Sequence, residues 1–150
     1  MGPRRADDPR YDFLVGSILL VEADPETSDR WSDALTAAGH AVVAVSAMRD
    51  ALSSLREGGI DAVVVDVHDP RAGVVELAAA IAALPDAPPL VLVSGSPAAP
   101  ELSARIGAAC FLTKPCECAE LVDAVGRLLG QVRPVLVFED EPTGPVRQYG

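Results

Sequence analysis

The chain has 150 residues, 49% of them apolar, which is enough to close one core in a single domain. Mean hydropathy is +0.26, yet the apolar residues come in short runs broken by Asp, Glu, Gly and Pro, and none approaches the ~18 uncharged residues of a membrane span. A formal net charge of −10, with no basic cluster larger than Arg4-Arg5, argues against nucleic acid as a partner.

Residues 1–16 are polar and contain proline, and they are expected to form a disordered lead. Their opening, MGPRRADDPRYDF, is charged throughout and has no apolar segment of the secretory kind, so a cytoplasmic location away from membranes is expected. The first apolar run, 18–21, reads as a strand. Over 25–38, Trp31, Ala34, Leu35 and Ala38 share one helical face. Asp24 is placed to cap that helix, Pro25 to start it and Gly39 to end it. His40, just beyond, is expected to be exposed. A second strand at 41–45 precedes the stripe Ala47, Met48, Ala51, Leu52 and Leu55, which stops at Gly58-Gly59. A third strand, 62–65, leads to an apolar helical segment over 74–84, expected to be well covered. A fourth strand, 90–93, is followed by a short Ala-rich helix over 98–106, bracketed by Pro97 and Gly107. After the fifth run, 110–112, Cys118, Leu121, Val122, Val125, Leu128 and Leu129 form a last stripe ending at Gly130. Several runs are continuous rather than alternating, as in parallel strands covered on both faces. The order (βα)5 with right-handed crossovers predicts a doubly wound α/β domain with one parallel sheet.

In such sheets the chemistry collects beyond the carboxyl ends of the strands. Strand 1 ends in Glu22-Ala23-Asp24, strand 3 in Asp66, strand 4 in Ser94 and strand 5 in Lys114. Asp66 can act as a nucleophile toward an activated phosphoryl group. Phosphoryl transfer needs mostly positioning and charge neutralisation, which Lys114 and the Ser94 hydroxyl can supply. Glu22 and Asp66 suit Mg²⁺, which takes one or two carboxylates besides water and phosphate oxygens. Cys110, Cys116 and Cys118 are odd in number with no histidine nearby in sequence, so reduced thiols are expected rather than disulfides or a metal cluster.

From 17 to 130 the chain resembles the receiver domains of two-component response regulators. The resemblance rests on ILLVEADP, VVVDVHDP, LVLVSG and GAACFLTKP, in that order and at family-like spacing. It implies a flavodoxin-like five-stranded sheet of order 2-1-3-4-5, with Asp66 taking phosphate from a histidine kinase or phosphotransfer protein. Lys114 would contact the phosphoryl group, and Ser94 would move inward to bond it. Phe111 would change rotamer as the switch aromatic, rearranging the face of the fourth helix, fifth strand and fifth helix. The metal ligands implied are Glu22, Asp66, the backbone carbonyl of His68 and, less directly, Asp24.

The pattern is broken at Ala23, where receivers carry the acid that binds the metal directly; this should weaken Mg²⁺ binding. Val74 stands where the family has glycine, and Arg71 and Ala72 replace its usual small loop residues. Three readings are therefore carried. The first is a receiver that signals through protein contacts, not an enzyme, with an upstream kinase and a downstream protein target. The second is an unphosphorylated pseudo-receiver serving as a constitutive interaction module. The third, a small phosphohydrolase forming an aspartyl-phosphate, rests on Asp66-x-x-Asp69 and lacks both the right spacing and a cap region. The tail 131–150 holds a strand-like run at 135–139 that resembles the segment from Ile18 to Pro25; a chance strand-like tail, frayed or laid on a sheet edge, is favoured over a relic or truncated second receiver, or a strand placed at or beside strand 1, in cis or by swapping, in which Asp140 supplies the acid missing at Ala23. Oligomeric state stays open, a homodimer included.

Overall fold

Short Val/Leu runs separated by helical stripes fold here into alternating strands and helices. The computed structural model describes residues 15–68 and 73–132. In chain order these form β1 (Ser17–Val21), α1 (Pro25–Ala37), β2 (Ala41–Val45), α2 (Met48–Glu57), β3 (Ala62–Asp66), α3 (Val74–Ala82), β4 (Leu90–Ser94), α4 (Ala99–Ile106), β5 (Cys110–Thr113) and α5 (Cys118–Val132). Residues 1–14 of the expected lead, Asp69, Arg71 and Ala72 of the loop after β3, and the tail run 135–139 with Asp140 lie outside the described residues, while Gly16, at the end of that lead, is hydrogen-bonded to His40 and Ala41.

All strand pairs are parallel and the sheet order is β2-β1-β3-β4-β5. That is the five-stranded flavodoxin-like arrangement expected from the sequence. Side chains alternate across the sheet with a period of two, and this alternation divides the core. Leu19, Val63, Val65 and Leu92 face Ala51 and Leu55 of α2, Leu77 and Ile81 of α3 and Leu102 of α4. Ile18, Leu20, Val64 and Val93 face Trp31 and Leu35 of α1 and Leu121, Val125 and Leu129 of α5. The three inner strands are buried on both faces, which explains their continuous apolar runs.

One strand is barer than the others, and two local expectations are corrected. The run Ala41–Val45 is an edge strand with only Val42 and Val45 half-buried, because nothing pairs beyond it among the described residues. The third helix is not covered all round: Val74, Leu77 and Ile81 are buried, but Val75 is 40% exposed, since a helix laid on a sheet buries a single stripe. His40 is buried rather than exposed. Its Nδ1 accepts a hydrogen bond from the Gly16 N–H at 3.2 Å, while the Ala41 N–H donates to the Gly16 carbonyl. The imidazole thus fastens the segment entering β1 to the turn after α1. Gly16 is needed there for close approach, because a Cβ would lie 2.7 Å from Asp61 Oδ2, the acceptor of the Ser17 N–H.

Candidate functional site

Register assembles the site. Val21 lies opposite Val65, so Glu22 and Asp66 leave neighbouring strands side by side. The Glu22 N–H is fixed on the Val45 carbonyl. On the other flank Ser94 lies opposite Thr113, and the Lys114 N–H donates to the Ser94 carbonyl, which brings the lysine over the end of β4. The Lys114–Pro115 peptide bond is cis. Lys114 Nζ ends 2.7 Å from Asp66 Oδ2. This is the pairing of cation and strand-end carboxylate expected from the sequence.

Glu22 and Asp66 are both buried, at 1% and 5% exposure. Glu22 Oε2 accepts from the Asp24 N–H at 2.8 Å and lies 2.9 Å from His68 Nε2. His68 Nε2 is also 3.7 Å from Asp66 Oδ2. Glu22, Asp66 and His68 each offer one ligand atom, and these atoms lie within 4.8 Å of one another. Glu22 Oε1 and both Asp66 oxygens are buried without a hydrogen-bond partner among the described residues, Asp66 Oδ2 facing Lys114. Leaving such oxygens dry and unpartnered is costly, and a cation would satisfy Glu22 Oε1 and Asp66 Oδ1. The donor set therefore fits a divalent ion.

Electrostatics separate the two acids. Burial, and then the adjacent Glu22, push the Asp66 carboxyl up to about 7, with Lys114 pulling in the other direction. Burial also acts to raise Glu22, but contacts with Asp66, the Asp24 N–H and His68 outweigh it and hold Glu22 below the usual carboxylate range. A buried carboxylate beside a like charge resists ionisation until a cation is near.

The remaining expected residues fall around this centre. Asp24 stands apart from the trio: its side chain caps α1, accepting from the Thr27 N–H at 3.0 Å and the Thr27 hydroxyl at 2.6 Å. Its contribution to the site is the backbone N–H that orients Glu22. Ser94 is buried, but its hydroxyl donates to the Val67 carbonyl at 3.1 Å and accepts from the Ser96 N–H at 3.1 Å, not from Asp66. Phe111 is half-buried beside Leu92 on the sheet face that Ser94 also occupies. Gly73, one place before Val74, is the residue with left-handed backbone (φ +92°), and it starts α3. The three cysteines are free and half-buried. Burial, followed by nearby acids, pushes the Cys116 thiol up to about 11, which makes it a poor nucleophile. The His68 imidazole is what the sequence reading passed over. It follows Asp66 by two residues, and a period of two puts both on one face.

A profile of the response regulator receiver domain matches residues 18–126. Among curated proteins, the response regulator protein FleR of Pseudomonas aeruginosa is 34% identical over 122 residues, 79% of this chain and 26% of that protein. The sensory/regulatory protein RpfC of Xanthomonas campestris is 28% identical over 132 residues, 83% of this chain and 18% of that protein. The chain thus spans about a quarter or less of the length of these relatives. The signal receiver domain of a signal transduction histidine kinase from Syntrophus aciditrophicus superposes with a TM-score of 0.71 at 29% identity, covering 80% of this chain and 94% of that one. The receiver domain of a Pseudomonas aeruginosa sensor histidine kinase, solved with magnesium coordinated in its active site cleft, gives 0.68 at 25% identity, covering 77% and 98%. Among the described residues no helix is long and apolar enough to cross a membrane. The sheet order, the buried acid at the end of β3 with its lysine, and the profile match agree that the chain belongs to the response regulator receiver domain family.

Proposed function

We propose that the chain is a phosphoryl-accepting signalling module in which Asp66 takes the phosphoryl group and protein contacts carry the signal onward. The observation that carries this reading is the buried Asp66 carboxylate, 2.7 Å from Lys114 Nζ at the carboxyl edge of the sheet. An Asp66 oxygen attacks the phosphorus of a phosphohistidine or small acyl phosphate. The bond from phosphorus to the donor's leaving atom breaks, and its electron pair departs with the donor. Lys114 balances charge on the phosphoryl oxygens, and Glu22 and Asp66 would hold a divalent cation, Mg²⁺ in the family, which would supply further charge neutralisation there. The Ser94 hydroxyl leaves the Val67 carbonyl to donate to the new phosphoryl group. Phe111, on the same face, follows into the vacated space. Donor and target are a histidine kinase or phosphotransfer protein and a downstream protein. The pseudo-receiver reading, prompted by Ala23, is weaker because Lys114 already pairs with Asp66 at 2.7 Å.

Incubation with acetyl phosphate and a divalent cation, followed by intact mass measurement, tests the proposal. The wild-type chain gains one phosphoryl mass and Asp66→Asn gains none. An unshifted wild-type mass, alongside a receiver that labels normally, refutes it.

A further inference from the structure

We infer that the His68 side chain is itself a metal ligand, so that this site prefers a first-row transition ion that accepts imidazole, such as Co²⁺ or Zn²⁺, over Mg²⁺. The inference rests on the reading of the Asp66 cluster as a cation site and changes which cation it takes.

The acid after Glu22 is replaced by Ala23, whose exposed methyl offers no donor atom. His68 Nε2 lies beside both acids, 2.9 Å from Glu22 Oε2 and 3.7 Å from Asp66 Oδ2. Ligand atoms bound at about 2.0–2.1 Å to one ion lie roughly 3.0–3.4 Å apart, close to the 2.9 Å between His68 Nε2 and Glu22 Oε2; the 3.7 Å distance is to the Asp66 oxygen that faces Lys114. Among the described residues, Glu22 Oε1 and Asp66 Oδ1 are buried without a donor, a second observation that points to a positive partner there. Oδ1 can serve an ion while Oδ2 stays on Lys114. Two carboxylates and one imidazole form a mixed O,O,N set. Mg²⁺ is a hard ion that favours oxygen and gains little from imidazole, whereas Co²⁺, Ni²⁺ and Zn²⁺ bind it well. The Asp24 N–H on Glu22 Oε2 holds the carboxylate in position, as outer hydrogen bonds commonly do at metal sites.

Calorimetric titration of the metal-free chain with Co²⁺ and with Mg²⁺, with no phosphodonor, provides the test. Wild type is expected to bind Co²⁺ about 100-fold or more tighter than Mg²⁺. His68→Ala should weaken Co²⁺ binding about tenfold or more while changing Mg²⁺ affinity less than about threefold. The visible spectrum of the Co²⁺ form should lack a thiolate charge-transfer band, excluding Cys116 and Cys118 as the ligands. The His68 side chain is half exposed, so the variant should keep its fold, and equal melting temperatures check this. Unchanged Co²⁺ affinity in His68→Ala, parallel losses for both ions, or a thiolate band accounting for the bound cobalt would each overturn the inference. Because no phosphoryl transfer is involved, cobalt binding through His68 without mass labelling would sink only the phosphoacceptor reading. Labelling with an inert His68 would sink only this one.

Discussion

At the residue scale, the site sets a charged function against stability. Asp66 has its carboxyl raised from 3.8 to about 7 in the fold, so the native state holds a proton that the unfolded chain has already lost between those values. Stability contributed by this group therefore falls as pH rises from about 4 to about 7 and is flat above. Glu22 shifts in the opposite sense, so its contribution is present above its unfolded pKa and is lost in acid. The Lys114 partner reduces the net cost at Asp66. In metal-free buffer Asp66→Asn should accordingly be about 1–2 kcal/mol more stable than wild type at pH 8, an advantage that shrinks by pH 5. Urea melts at the two pH values check this; an advantage that grows in acid would refute it. Glu22, Asp66 and Ser94 were legible in sequence because each directly follows an apolar run, and Lys114 because it follows one after a single Thr113. The His68 imidazole and the His40–Gly16 link were not, since a lone histidine in a loop carries no pattern until register fixes its neighbours.

At the scale of single elements, capping and periodicity were readable and coverage was not. Asp24, Pro25 and Gly39 mark the ends of α1 by their own chemistry, and the structure places the cap as expected. The exposed flank of α3 and the bare edge of β2 depend on what packs outside them, which no local pattern states. Asp24 has two separable roles: a side-chain cap and a backbone donor to Glu22. Asp24→Ala removes the first and keeps the second. It should cost about 1 kcal/mol of stability by thermal unfolding while leaving phosphoryl labelling intact. Loss of labelling with an unchanged melting temperature would mean that the Asp24 side chain belongs to the site.

At the scale of the whole molecule, one sheet separates two apolar layers that meet only through its strands. Leu77 of α3 and Leu129 of α5 are fully buried on opposite faces. Each changed to Ala should cost about 2–5 kcal/mol through lost contacts and cavity formation. The double variant should lose the sum to within about 0.5 kcal/mol, because the two sites share no partner. Large non-additivity in denaturant melts would mean that the sheet transmits packing changes from face to face. Sheet order followed from the resemblance once the (βα)5 pattern was seen. The site then arose from topology, because strands 1, 3, 4 and 5 deliver their final polar residues to one edge.

The account turns on Asp66 as the phosphoryl acceptor, and the chemistry of an acyl phosphate allows a direct test. Borohydride reduces an aspartyl phosphate to homoserine, so the chain labelled with acetyl phosphate can be reduced, digested and sequenced by mass spectrometry. Homoserine at position 66, and at no other acid, is the predicted result. An unmodified Asp66 in labelled protein, or homoserine at Asp24 instead, would contradict it.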